Sequence, residues 1–331
     1  MAPGALGVCD AHDHLFLRSP RLPGEELADA GAAAAELAAF RAAGGGTVIQ
    51  WTPYGMGRGA GELARLSLRS GVRIVAATGL HQAVHYAPEA LTRVWDDLAG
   101  LFVAELTTGI GTWRSSGAAA SAEAVGTGSA DQAERPRAGM IKVAGGFHGL
   151  DAHARHTMAA AAEAHHATGA AIGVHLELGT GALDVLDLLC GELGVPPERV
   201  VLGHLNRAPD LAVHRQAAEA GAYLAFDGPS RAHHATDWRL PDALAALADA
   251  GYGDRLLLGG DTTTAAARSV DGGPGMPYLP RRLAPRLELA LGAELVERVL
   301  TVNPGRAFAA AWEPGARGGG KSSVGGAGGG R

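Results

Sequence analysis

His12, His14, Lys142, His175, His204 and Asp261 each stand at or just past the end of a short apolar run. A His-x-His pair alone says little, because alternation along any strand puts two such residues on one face. Six residues of metal-ligand type, closing separate apolar runs, read instead as a set able to hold two divalent ions. Imidazole and carboxylate are the expected donors to zinc-type ions, and two ions about 3.5–4 Å apart can clamp a nucleophilic hydroxide between them. Lys142 needs its own chemistry, since an ammonium has no lone pair to offer. Reaction with carbon dioxide would give it a carbamate, negatively charged and with two oxygens able to bridge two ions.

Such residues act together only if the fold brings them to one place. Strand-like runs are expected at Leu6–Asp10, Thr47–Trp51, Val72–Thr78, Gly139–Val143, Ala171–His175, Val200–Gly203, Ala222–Phe226 and Leu256–Gly259. Between them lie alanine-rich segments with helical spacing, including Glu26–Ala43, Pro88–Leu106, Ala152–Thr168, Ala182–Leu193 and Pro241–Ala250. Asn303-Pro304 reads as an N-cap followed by proline, opening a last helix. Eight strand–helix repeats predict an α/β fold, a single-domain (β/α)8 TIM barrel over residues 1–314. Catalytic residues of such barrels come from the carboxyl ends of the strands, where all six candidates fall. Two stretches stand outside this pattern: residues 115–137, rich in Ala, Gly, Ser and Glu, predict a surface insertion, and residues 315–331 a flexible Gly-rich tail.

The chain has 331 residues, enough for one such barrel of about 250 residues plus extensions. At 47% hydrophobic and 19% charged, with a formal net charge of −6, it can bury a large core and lacks the basic stripe of a nucleic-acid surface. Cys9 and Cys190 fall on a strand and a helix and read as structural thiols rather than a disulfide framework. No basic segment leads into a long apolar stretch, and no apolar run reaches the roughly 20 residues of a membrane helix, so a cytoplasmic protein with small-molecule partners is expected.

The segments DAHDHL, GMIKVAG, GVHLELGT, VVLGHL and LLLGGDT, in that order, resemble the phosphotriesterase family of the amidohydrolase superfamily. The resemblance runs from about Gly4 to Trp312, and VNPGRAF resembles the family's last helix. It implies that His12, His14 and Asp261 hold the more buried metal, His175 and His204 the more exposed one, and carbamylated Lys142 bridges them. The ions would be zinc, with manganese, cobalt or iron as alternatives. A bridging hydroxide would attack an ester-type bond of a lactone or phosphotriester-like substrate, with Asp261 taking its proton. Many relatives place an arginine soon after the strand-eight aspartate and a tyrosine shortly beyond; here threonine and alanine stand there instead. Arg268 or Arg231 could take over the recognition of an anionic group, and His81 and His148, in strand-end loops, are further candidates for substrate contact. Other readings are a cyclic-amide hydrolase or deaminase of the same superfamily, and a non-catalytic barrel. Relatives also suggest a homodimer.

Overall fold

The computed structural model describes residues 6–113, 135–228 and 235–310. Eight strands run in sequence order around one sheet: β1 (Val8–Asp13), β2 (Gly45–Gln50), β3 (Arg73–Gly79), β4 (Met140–Ala144), β5 (Ala171–His175), β6 (Val200–Gly203), β7 (Tyr223–Asp227) and β8 (Leu256–Gly259). Each pairs in parallel with the next. β8 comes back beside β1, where the Asp261 N–H donates to His12 O at 2.8 Å. The approach there is close enough that a Cβ on Gly259 would lie 2.6 Å from the His12 backbone, so that position requires glycine. Helices fill the connections, and the result is the expected (β/α)8 barrel.

Alternation along the strands divides their side chains between two cores. Ile141, Val143, Ile172, Val174, Leu224 and Phe226 point outward and pack under the helices. Their neighbours Met140, Ala171, Val201, Tyr223, Ala225 and Leu257 fill the barrel interior. The inward row continues upward to Lys142, His175 and Asp227, so the same period that builds the core lifts these polar groups to the barrel mouth.

β5, β6 and β8 end at the expected residues, whereas β1 extends to Asp13 and takes in His12. Its pairing with β2 slips between Asp10 and Asp13, an extra residue that breaks the alternation. Buried carboxylates keep this polar stretch in the sheet: Asp10 accepts from the N–H groups of His12 and Gly260, and Asp13 from those of His14 and Thr262.

Asp29, Asp151 and Asp210 cap the helices Ala30–Ala42, Ala152–Thr168 and Leu211–Ala220 by accepting from first-turn N–H groups. The helix Ala60–Ser70 has no counterpart among the expected segments, and the run from Pro88 is interrupted by a 3-10 turn at Trp95–Asp97. Asn303 is not an N-cap. Its backbone is helical (φ −62°, ψ −45°), continuing the turn that precedes it, while its amide donates to Gly253 O and Leu256 O at the foot of β8. Most of the expected 115–137 insertion and all of the 315–331 tail lie outside the described residues. No helix among the described residues is long and apolar enough to cross a membrane.

Candidate active site

Trp51, just past β2 and fully buried, belongs to the barrel interior beneath the cleft. Its indole stacks on the His12 ring at 4.0 Å, and its Nε1–H donates to Ala11 O at 2.8 Å. Room for the ring comes from β5, where a Cβ on Gly173 would lie 2.9 Å from Trp51 Cη2. Above this ring converge the carboxyl ends of the strands.

The hydrogen bonds fix which nitrogen each of the four histidines turns inward. Asp227 accepts from two of them, His12 Nδ1–H at 3.0 Å and His204 Nδ1–H at 2.5 Å, one on each carboxylate oxygen. An ionised carboxylate can only accept, so both Nδ1 atoms carry protons and, in the neutral imidazole, both Nε2 atoms carry lone pairs. The Thr52 hydroxyl donates to Phe16 O at 2.6 Å, which leaves its oxygen to accept from His14 Nδ1–H at 2.7 Å. His14 Nε2 is therefore also a lone-pair atom. At His175 the roles reverse, because Nε2 faces Glu177 Oε2 at 3.0 Å and Nδ1 turns inward.

The inward atoms meet in two groups. Donors about 2.0–2.1 Å from one zinc at tetrahedral angles lie about 3.4 Å apart. Asp261 Oδ1 stands 3.5 Å from His14 Nε2 and 3.7 Å from His12 Nε2, a fitting triad. His175 Nδ1 and His204 Nε2 face each other at 2.7 Å, a hydrogen-bonding distance that a proton on either nitrogen satisfies and that is shorter than the spacing of two donors on one zinc, so a shared ion would need the two rings to part slightly. His12, His204 and Asp227 also cluster, but there each carboxylate oxygen is already taken by an Nδ1–H, so Asp227 orients the rings rather than competing for an ion.

Charge in the cleft follows from burial and neighbours. Burial alone would raise the Asp227 carboxyl, yet the facing His204 and His12 rings hold it well below the usual carboxylate range. Asp261 is held low against burial by His204, His14, His12 and Arg207. Burial lowers His14, and it pushes His175 down to about 3. Lys142, 3% exposed, is brought by burial from 10.5 to about 7, with Asp261 and Glu177 opposing the fall. Its backbone is pressed by β3: a Cβ on Gly79 (φ +109°) would lie 2.0 Å from Lys142 O.

All six expected ligands thus line one cavity of about 340 Å³. Two of them, His204 (φ 64°) and Asp261 (φ 54°), adopt left-handed backbone, a costly conformation for residues other than glycine. His81 also lines the cavity, its ring edge-on to His175 at 4.6 Å, and burial drives it well below its ordinary pKa. His148 is exposed and stands off the cavity. Arg268 does not reach the cavity either. It is 2% exposed, and its guanidinium is spent on the backbone carbonyls of Leu15 and Asp29, tying the loops after β1 and β8. Arg231 lies outside the described residues.

Five residues of the site went unnoticed in the sequence, among them Thr52, which accepts from His14. Asp227 could have been found by extending the inward row of β7 by two positions. Arg207, 2.5 Å from Asp261 Oδ2, and Glu177 sit in the turns just after His204 and His175, where only proximity in sequence hints at them. Gln82, in the loop after β3, carries no sequence signal; its amide donates to Gly145 O and Glu177 Oε2.

A parallel barrel with a histidine–carboxylate cleft at the carboxyl ends of its strands has the architecture of a barrel enzyme. The phosphotriesterase family pattern matches residues 1–308, and the chain belongs to that family and to its class of hydrolases acting on ester bonds of small molecules. It is 27% identical over 326 residues to a phospho-furanose lactonase of Mycoplasmopsis synoviae, covering 92% of this chain and 88% of the relative. It is 29% identical over 263 residues to a phosphotriesterase homology protein of Escherichia coli, covering 79% and 82%. Among solved structures, a lactonase from Listeria monocytogenes superposes with a TM-score of 0.80 at 25% identity, covering 93% of this chain and 96% of that one.

Proposed function

We propose that the chain is a binuclear metal-dependent hydrolase that opens lactones, with phosphotriester-like compounds as the neighbouring substrate class. The observation that carries this reading is the orientation of the four histidines, each with one ring nitrogen bound to a protein acceptor and the other turned inward. His12, His14 and Asp261 would hold the more buried ion and His175 and His204 the more exposed one, with carbamylated Lys142 between them. Imidazole and carboxylate donors suit zinc, with manganese, cobalt and iron as alternatives. When bound, the ions supply a water activated at neutral pH and an electrophilic pull on the carbonyl or phosphoryl oxygen.

The chain's own residues prepare and complete that chemistry. With its pKa brought to about 7 by burial, Lys142 offers a neutral Nζ that can add to carbon dioxide, forming an N–C bond and releasing one proton. Asp261, whose carboxylate is held in place by the Arg207 guanidinium, would accept the proton of the attacking water. Leu17, Leu22, Met56 and Val84 form an apolar wall on which the substrate body can rest. The lactonase relatives favour lactones among the ester substrates.

The test is metal-loaded protein, analysed for ion content and offered lactones, aryl esters, phosphotriesters and N-acyl amides. Two ions per chain and fastest turnover on a lactone are expected. Fewer than one ion after reconstitution, or amide turnover without ester turnover, would refute the reading.

A further inference from the structure

We infer that Glu177, clamped by Gln82, is a positioning residue that selects the tautomer and orientation of His175 and so tunes the more exposed ion separately from the buried one. The inference rests on the metal reading above and extends it to residues outside the ligand set.

His175 is held differently from the other three histidines. The side chains of His12, His14 and His204 are 2%, 8% and 4% exposed and donate to buried oxygens, whereas that of His175 is 20% exposed and its outer nitrogen faces a half-exposed carboxylate. Left free, Glu177 would lose side-chain entropy on settling over that ring. Gln82 offsets this cost. Its amide nitrogen donates to two acceptors, Gly145 O at 2.8 Å and Glu177 Oε2 at 3.0 Å, so the amide has one satisfactory orientation. Glu177 Oε2 then accepts from both Gln82 and His175 Nε2–H, and in the neutral ring the proton on Nε2 leaves Nδ1 as the lone-pair atom.

The backbone around Glu177 is built for this contact. Leu178 takes a left-handed conformation (φ 51°, ψ 27°) although its side chain is 53% exposed and packs little in return. The turn is closed by the Thr180 N–H and hydroxyl, both donating to Glu177 O at 3.1 and 2.8 Å. Next to it, a Cβ on Gly179 would lie 2.6 Å from His204 O, so this loop is seated directly on the residue that shares the exposed ion. Three strand ends, those of β3, β4 and β5, are thereby tied to one ring nitrogen.

The experiment compares wild type with Glu177→Ala, Glu177→Gln and Gln82→Ala by two readouts. In metal-free protein, imidazole nitrogen NMR reports the His175 tautomer; in metal-loaded protein, chelator competition reports the affinity of each ion. Glu177→Ala should mix the tautomers and weaken one ion about 10- to 100-fold while the other stays within about twofold. Glu177→Gln keeps an oxygen that can accept both donors and should restore most of the loss, with Gln82→Ala falling between. An unmoved tautomer, or both ions weakened alike, overturns the inference while leaving the binuclear reading intact. A wild type that binds no ion overturns both.

Discussion

Asp227→Asn gives the sharpest test of how this cleft is organised. The carboxylate is buried and receives one Nδ1–H on each oxygen, from His12 and from His204. Asparagine keeps one acceptor and puts an NH2 donor in place of the other, so one imidazole must face donor against donor or move its proton to Nε2. The first outcome leaves a buried N–H unsatisfied, about 1–3 kcal/mol, and turns the surviving charge-assisted bond into a neutral one, a further loss of about 1 kcal/mol. The second outcome protonates the nitrogen proposed to bind metal. Either way, loss of such a partner lowers metal affinity about 10- to 100-fold, equivalent to about 1.4–2.7 kcal/mol. Because His12 and His204 belong to different ions in the proposed assignment, the variant should weaken at least one ion and Asp227→Ala both. Urea unfolding of metal-free protein and chelator competition on loaded protein measure the two effects separately. If the asparagine variant kept both affinities within about twofold and its unfolding midpoint unchanged, the tautomer argument built on Asp227 would be wrong.

Lys142→Ala should lose most activity and recover part of it with a short carboxylic acid, while Lys142→Glu keeps some; reconstitution without bicarbonate should mimic the loss in wild type. Asp261→Asn should keep the fold and lose most turnover, and near-normal rates would assign the proton transfer to another group. Arg268→Ala should cost about 1–3 kcal/mol of stability by leaving buried carbonyls unpaired, with the KM ratio of anionic to neutral lactones unchanged. Metal-free protein should lose stability as the pH falls below about 6.5. Burial holds His81 well below its ordinary value, His85 at about 4 and His175 at about 3, so the unfolded chain binds protons that the folded one refuses. Each fully withheld proton contributes up to about 1.4 kcal/mol per pH unit, and a urea midpoint that is flat or rises between pH 7 and pH 5 would contradict this.

The barrel was legible because its signals are local. A run such as Ala171–His175 is apolar, short and bounded by glycine and turn residues, and β5, β6 and β8 begin and end where the sequence places them. β1 was harder, since Asp13 looks like a loop residue until Thr262 arrives from the far end of the chain to donate to it. The ends of Glu26–Ala43 depended on Asp29, whose capping role shows only when the first-turn N–H groups point at it. Arg268 misled for a related reason: an arginine in a strand-end loop can face substrate or brace the loop, and only the positions of the Leu15 and Asp29 carbonyls decide.

The proposed ligand set could be gathered from the sequence because imidazole and carboxylate advertise their chemistry by residue type alone. The groups that orient those ligands do not. Asp227, Thr52 and Glu177 are ordinary polar residues whose roles arise from which nitrogen of which ring they face. That choice is made by geometry far apart in the chain, with Asp227 lying 215 positions from His12 and 23 from His204 while holding both. Function therefore divides between a part written in residue types and a part written in hydrogen-bond direction. The second part decides whether four histidines form a usable cleft, because one misplaced imidazole proton removes a ligand as surely as a substitution does. It follows that variants of Asp227 and Glu177, which touch no ion in the proposed assignment, should rank beside the ligands themselves in their effect on metal content.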